Sequence, residues 1–391
     1  MLAAAVRAHP AIERALSLLH GDVSAVGGVV RDAALGRPPG DEADLVVEGD
    51  ALALAEELAR GLGVRATVHE RFGTASIELP HGGRIDLAGA RRERYPAPGA
   101  LPIVEPGPLA EDLARRDFTV NAMALRLAGR AAGELVDPLG GLEDLDARLL
   151  RALRQDAFTE DPSRIVRAAR YAARLGLALA PETELAVRRA APALDPGSAR
   201  VGEELRRLLE EPDAAAAAGL LRAWGVPWIA DEPVAERLVA LDAALAREGA
   251  PALPGWPLRL GAVVAPARLG DVALPGWAVA LARELAAGPD LAARAERLSR
   301  PSEIDGLARI APPATAVGAV TAGSEAVARW WERWRDVQPA VRGADLVAAG
   351  VRPGPAVGRA LAAVRAALLD GEVGGRLEQL ALALETAGER T

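Results

Sequence analysis

The chain has 391 residues, half of them hydrophobic, and a formal net charge of −8 at pH 7. Such a length exceeds one ordinary core and calls for several domains, while the absence of cysteine excludes disulfides and thiolate metal sites and suits a reducing compartment. The histidines, His9, His20, His69 and His81, show no pair at ligand spacing, which argues against zinc, and the negative balance argues against a broadly basic nucleic-acid surface.

The first twenty residues are apolar enough for a leader peptide, but Arg7, Pro10, Glu13 and Arg14 interrupt the run and fit an amphipathic helix over 11–20. No window of about 18 or more uncharged apolar residues follows, so the chain is expected in the cytoplasm, with no membrane contact. A short strand is expected at 22–26, a turn at the two glycines, a helix over 29–36, a second strand in "ADLVVEG" and a helix over 51–62. "VRATVHE", "TASIELP" and "GRIDLAGA" alternate as strands do, with "HGG" as a hairpin turn. Proline and glycine crowd 96–108, which reads as loop. From 109 onward helices dominate, with breaks near 178–182, 193–198, 249–257 and 264–276. The fold class is therefore α+β: a small mixed sheet-and-helix part followed by an elongated all-α region.

Rare residues mark where chemistry overrides composition. There is no lysine, and Asn121 is the sole asparagine. Phe72, Tyr95, Phe118, Asn121, Met123, Phe158 and Tyr171 all fall within one stretch of 100 residues. The same clustering fits a segment that holds the conventional core. The seven tryptophans, from Trp224 to Trp334, read as helix-packing residues.

Three clusters carry candidate chemistry. In a strand, residues i and i+2 share a face, so Glu42 and Asp44 project together beside the Gly27-Gly28 turn. Two neighbouring carboxylates repel unless a cation lies between them, and a hard ion such as Mg²⁺ satisfies them. The bare turn lets backbone N–H groups approach an anion, with Arg31 on the helix that follows. The same residues also fit a solvated turn with Arg31 and Asp32 as a surface pair. In "EDLARRDFTVNAMAL" (111–125), Arg115, Arg116, Asp117 and Asn121 are expected at the opening of a helix, with arginine forks for phosphate and polar groups for ribose. In "FTEDPSRIVRAARYAARLG" (158–176), Asp161 before Pro162 is an ordinary helix start. Beyond it Arg164, Arg167 and Arg170 share a face, with Arg174 nearby.

These stretches, with "RIDLAGARRERY…PGALP" and "LVDPLGGLEDLDARLLRAL", occur in an order that resembles the class II tRNA nucleotidyltransferases (CCA-adding enzymes) and the related bacterial poly(A) polymerases, within the polymerase β-like nucleotidyltransferase superfamily. The likeness runs over roughly residues 20–180 and continues more weakly beyond. It implies a catalytic nucleotidyltransferase head at 1–140, a helical neck for base selection at 141–210, a helical body at 211–300 and a tRNA-binding tail at 301–391.

The resemblance places two metal-binding acids, for two Mg²⁺ ions, on Glu42 and Asp44. The family has Asp-x-Asp there; Asp41 is the alternative first ligand, and Asp86 a possible third acid. Gly27, Gly28, Arg31, Arg116, Asp117 and Asn121 are expected on the triphosphate and ribose, and Asp161, Arg164, Arg167 and Arg170 on the base and phosphate side. The implied activity is template-independent addition of C and/or A from CTP and ATP to the 3′ end of tRNA, with no obligate protein partner. Poly(A) synthesis, CC-only or A-only addition, and an inactive RNA-binding paralogue are the alternatives. Arg148, Arg151, Arg154, Arg188-Arg189 and Arg206-Arg207 are expected to supply a local basic track despite the net charge.

Overall fold

The strand that begins in acids exposes those acids and buries the rest, which accounts for its composition. The computed structural model describes residues 1–80, 82–94, 103–231 and 233–388. Strand β1 (Val23–Val26) is buried throughout, and β2 (Glu42–Val47) exposes Glu42 and Asp44 while burying Ala43, Leu45, Val46 and Val47. Strands β3 (Ala66–His69), β4 (Thr74–Glu78), β5 (Arg84–Gly89), β8 (Ala124–Arg126) and β9 (Leu135–Val136) complete a seven-stranded sheet of order β3-β4-β5-β2-β1-β8-β9. The β2–β5 pairing is parallel and the rest are antiparallel, so the sheet is mixed.

Two short helices, α1 (Leu2–Arg7) and α2 (Pro10–Ala15), precede the sheet where one helix was expected over 11–20. His9 separates them: its Nδ1 accepts from Ala11 N and Pro10 follows at the first turn. Helix α3 (Gly28–Ala34) crosses from β1 toward β2. Helix α4 (Ala51–Leu62) occupies its expected range, capped by Asp50 on Leu52 N and Ala53 N and buried at 51, 54, 55, 58 and 59.

The expected loop at 96–108 is corrected in part. Ile103–Pro106 forms β7, paired antiparallel with β6 (Arg91–Arg94). Pro106 sits at the end of a two-stranded ribbon, where its missing N–H costs least. His81, Tyr95 and the "PGALP" segment lie outside the described residues.

The stretch 111–125 is also corrected. Helix α5 (Leu109–Ala114) ends where a helix was expected to open, so Arg115, Arg116 and Asp117 follow a C-terminus. A 3₁₀ turn at Thr119–Asn121 then leads into β8. Glu48 anchors α5, accepting from Leu109 N at 2.9 Å while pairing with Arg126 at 3.0 Å. Next come α6 (Gly141–Asp146), α7 (Ala157–Glu160), α8 (Ser163–Leu175) and α9 (Pro181–Ala190), with a small parallel pair, β10 (Leu149–Leu150) and β11 (Ala178–Leu179), that the sequence reading missed. Gly141 has no room for a side chain: a Cβ there would stand 2.3 Å from the Thr119 carbonyl oxygen.

The chain divides into two compact units, residues 1–195 with 223–227, and 196–222 with 228–391. The second unit is built from helices, among them most of Ala214–Ala223, whose first five residues are all alanine. Buried Asp305 forms one hub there, accepting from Arg365 at 2.8 and 2.9 Å and from Trp330 Nε1 at 2.8 Å. Most tryptophans are buried as expected; Trp277 is the departure, 57 % exposed and edge-on to Trp256.

Candidate active site

Backbone register assembles the acidic face. In the parallel β2–β5 pair, Asp44 stands opposite Asp86 and Glu42 opposite Arg84; in the β4–β5 pair, Ser76 stands opposite Asp86. Period-two alternation puts all of these on one side of the sheet. Arg84 reaches Glu42 and Asp86, each at 2.9 Å, and Ser76 Oγ donates to Asp86.

Asp44 keeps much of its surface open but lies within a concave face. Desolvation pushes its pKa up, the negative charges of Asp86 and Glu42 push the same way, and Arg116 and Arg84 pull back. A carboxylate raised partly by its like-charged neighbours fits a hard divalent cation. Among the described residues no three acids or histidines form a ready-made metal cage; the donors on offer are the Glu42 and Asp44 carboxylates, which also line a cavity of about 620 Å³ with Gly28, Arg31 and Asp41.

The glycine turn lies next to this face. Gly27 adopts φ +65° and ψ −123°, closed by its N–H on the Met123 carbonyl at 3.2 Å. A Cβ at Gly27 would come within 3.1 Å of Arg116 Nη1. Buried Asp112 orients that arginine, accepting from Arg116 Nη2 at 3.1 Å and from Arg115 Nη2 at 2.6 Å. Arg116 Nε is buried without a protein partner. The sequence reading assigned Asp112 no role, although an acid three and four residues before two arginines is a legible signal.

Arg31 is not a surface residue. It is 3 % exposed, forks onto Asp32 at 2.8 and 3.0 Å, and donates Nη1 to Asn121 Oδ1 at 2.6 Å. The expected Arg31–Asp32 pair therefore exists, but partly buried at the edge of the cavity rather than on the open surface. Asn121 Nδ2 donates to Asp117 Oδ1 at 3.0 Å, and Arg167 Nη1 donates to Asp117 Oδ2 at 3.2 Å. Burial opposes the charge on Asp117, yet Arg167, Asn121 and the Phe118 N–H outweigh it and hold its carboxyl below the usual range. One continuous network thus joins Asp32, Arg31, Asn121, Asp117 and Arg167, from α3 to α8. The sole asparagine sits at its centre.

Three of the other scarce residues, Phe118, Phe158 and Tyr171, converge on the same place. Tyr171 meets Phe118 edge-on at 6.0 Å, and Phe118 lies 6.5 Å from Phe158. The Arg31 and Arg170 guanidinium groups lie 5.2 and 4.7 Å from the Tyr171 ring. Core and site explanations of the clustering therefore both apply.

At the start of α8, Asp161 Oδ1 accepts from Ser163 N at 3.2 Å and Ser163 Oγ at 2.6 Å, the helix-start role read from the sequence. Arg164 stands 3.9 Å from Asp161 and donates to the Arg115 carbonyl at 3.4 Å. The expected basic track is largely answered by acids: Arg151 pairs with Asp144 and Glu182, Arg154 with Asp156 and Glu160, Arg188 with Glu184, and Arg206 and Arg207 with Glu203.

Comparison with known proteins decides the family. The poly A polymerase head domain model matches residues 23–151. A CC-adding tRNA nucleotidyltransferase of Deinococcus radiodurans is 41 % identical over 87 % of this chain and 83 % of its own length. The chain belongs to the class II tRNA nucleotidyltransferase family. An A-adding tRNA nucleotidyltransferase of Aquifex aeolicus is 49 % identical over 42 % of the chain, which spans only 20 % of that longer relative. A solved CCA-adding enzyme in complex with CTP superposes with a TM-score of 0.79 at 25 % identity, covering 99 % of this chain and 98 % of that one. The protein is thus a nucleotidyltransferase, and nucleotidyltransferases of this family work with divalent metal ions. No described helix is long and apolar enough to cross a membrane.

Proposed function

We propose that the enzyme adds C, A or both from CTP and ATP to the 3′ end of tRNA, with Glu42 and Asp44 holding two Mg²⁺ ions. The carrying observation is that the Arg116 guanidinium acts electrostatically on the Asp44 carboxylate while packing beside the bare Gly27 turn. Held by these two carboxylates, Mg²⁺ would supply Lewis-acid charge toward the attacking 3′-hydroxyl and the triphosphate.

The protein's own groups do the rest. The RNA 3′-oxygen attacks the α-phosphate and pyrophosphate leaves. Without lysine, arginine supplies all the fixed positive charge. Arg116, held by Asp112 and carrying a buried N–H without a protein acceptor, faces the triphosphate. Arg31 and Asn121 act from beneath, fixing the glycine turn and Asp117, while Gly28 offers its amide to phosphate. Asp161 and Arg164 read the base: the carboxylate accepts from the amino group of cytosine or adenine while the guanidinium donates to the adjacent ring nitrogen. Uracil and guanine present the opposite pattern and leave both groups misdirected. Arg167 and Arg170 line the same side, from the face that also carries Tyr171.

The likeness to the D. radiodurans enzyme favours a narrower reading, in which addition stops after two cytidines. Labelled CTP and ATP, offered separately to tRNAs trimmed to each intermediate end, test both readings. Metal-dependent incorporation of CTP with no extension of a CC-ending tRNA by ATP supports CC addition; extension by ATP supports complete CCA synthesis. No incorporation of either nucleotide refutes the function.

A further inference from the structure

We propose that Arg84 is a resident counter-ion of the acidic face, a guanidinium that a divalent metal must displace from Glu42 when the site is loaded. The inference rests on the metal site proposed above and assigns that site a built-in competitor.

Three observations carry it. The parallel register sets Arg84 directly opposite Glu42 and two residues before Asp86, so its side chain emerges on the face that carries the acids. Its fork grips both neighbours, Nη2 on Glu42 Oε1 at 2.9 Å and Nε on Asp86 Oδ2 at 2.9 Å. Ser76 Oγ holds Asp86 from the far side, so the third acid is already bonded from two directions. Asp44 lies outside this fork and feels Arg84 through space, less than it feels Arg116, Asp86 or Glu42. One arginine thus cancels charge between Glu42 and Asp86 and keeps the three carboxylates from closing on a common point. That explains why acids sharing one face do not form a preformed cage.

The clamp is weak enough to be displaced. Arg84 and Glu42 have side-chain exposures of 36 % and 61 %, and half-exposed pairs of this kind contribute little individually, up to about a fivefold factor each. A metal entering between Glu42 and Asp44 gains two carboxylates and forfeits that factor. Released from Glu42, the guanidinium stays on Asp86, which keeps the third acid from adding its charge to the metal.

The test is Mn²⁺ titration followed by electron paramagnetic resonance, on the full chain without nucleotide or RNA, for wild type, Arg84→Gln and Arg84→Lys. Arg84→Gln is expected to bind Mn²⁺ about twofold to fivefold more tightly. Arg84→Lys, which keeps the charge but loses the fork, is expected to fall between. Thermal unfolding confirms that each variant is folded. Mn²⁺ affinity unchanged or weakened in a folded Arg84→Gln overturns the inference while leaving the metal site standing. Wild-type binding that Asp44→Asn does not diminish overturns the metal site itself, and the inference with it.

Discussion

The two adjacent glycines of the turn are chemically identical yet should respond unequally to alanine. Gly27 sits at φ +65° and ψ −123°, where an L side chain is strained by about 1–3 kcal/mol. The added Cβ would also press on Arg116 Nη1 at 3.1 Å, closer than ordinary contact. The arginine has little slack, because Nη2 is tethered to buried Asp112 at 3.1 Å. Gly27→Ala should therefore cost about 2–3 kcal/mol and shift the guanidinium by a few tenths of an ångström. With Arg116 orienting the triphosphate as proposed, misplacing it should lower kcat by roughly 10- to 100-fold. Gly28 differs: it begins α3 without positive φ, and its Cβ would meet Arg31 Nη2 at an ordinary 3.5 Å. Gly28→Ala should stay within about 0.5 kcal/mol of wild type. Thermal unfolding and initial rates of CTP incorporation measure both effects. Equal stabilities for the two variants, or full activity in Gly27→Ala, would refute the account of the turn.

Asp44→Asn should abolish nucleotide addition and yet stabilise the metal-free protein at neutral pH. A carboxyl whose folded pKa is raised opposes folding once pH exceeds its unfolded value, so the variant's advantage should shrink as pH falls toward the acid range, as read by unfolding in chelator. Asp117 has the opposite sign: its depressed folded pKa contributes stability that is present above the unfolded value of about 3.9 and lost as pH falls through the folded one. The stability deficit of Asp117→Asn at pH 7 should accordingly disappear in strong acid; a pH-independent deficit would contradict this. Asn121→Ala removes the acceptor of a buried arginine and a donor to Asp117, and should cost about 2–4 kcal/mol by chemical denaturation. Asp161→Ala should blur the choice of C or A over U or G more than it raises the nucleotide KM, and equal discrimination by variant and wild type would exclude a base-reading role.

Local pattern alone determined much of this protein. Alternation placed Glu42 and Asp44 on one face, the Asp50 cap and the apolar spacing set α4, and the scarcity of asparagine, phenylalanine and tyrosine pointed to the segment that carries much of the candidate site. These features depend on neighbours a few residues apart, and such geometry is written directly in the chain. Tertiary structure alone decided which charges are spent and which remain available. Arg31 is buried on a partner 90 residues away, and the basic track is largely answered by acids. Arg84 faces Glu42 only because β2 and β5 pair in parallel. A guanidinium looks the same in sequence whether it faces solvent, a carboxylate or a phosphate; the partner that closes around it is chosen by the packing of distant elements, and that partner determines its role.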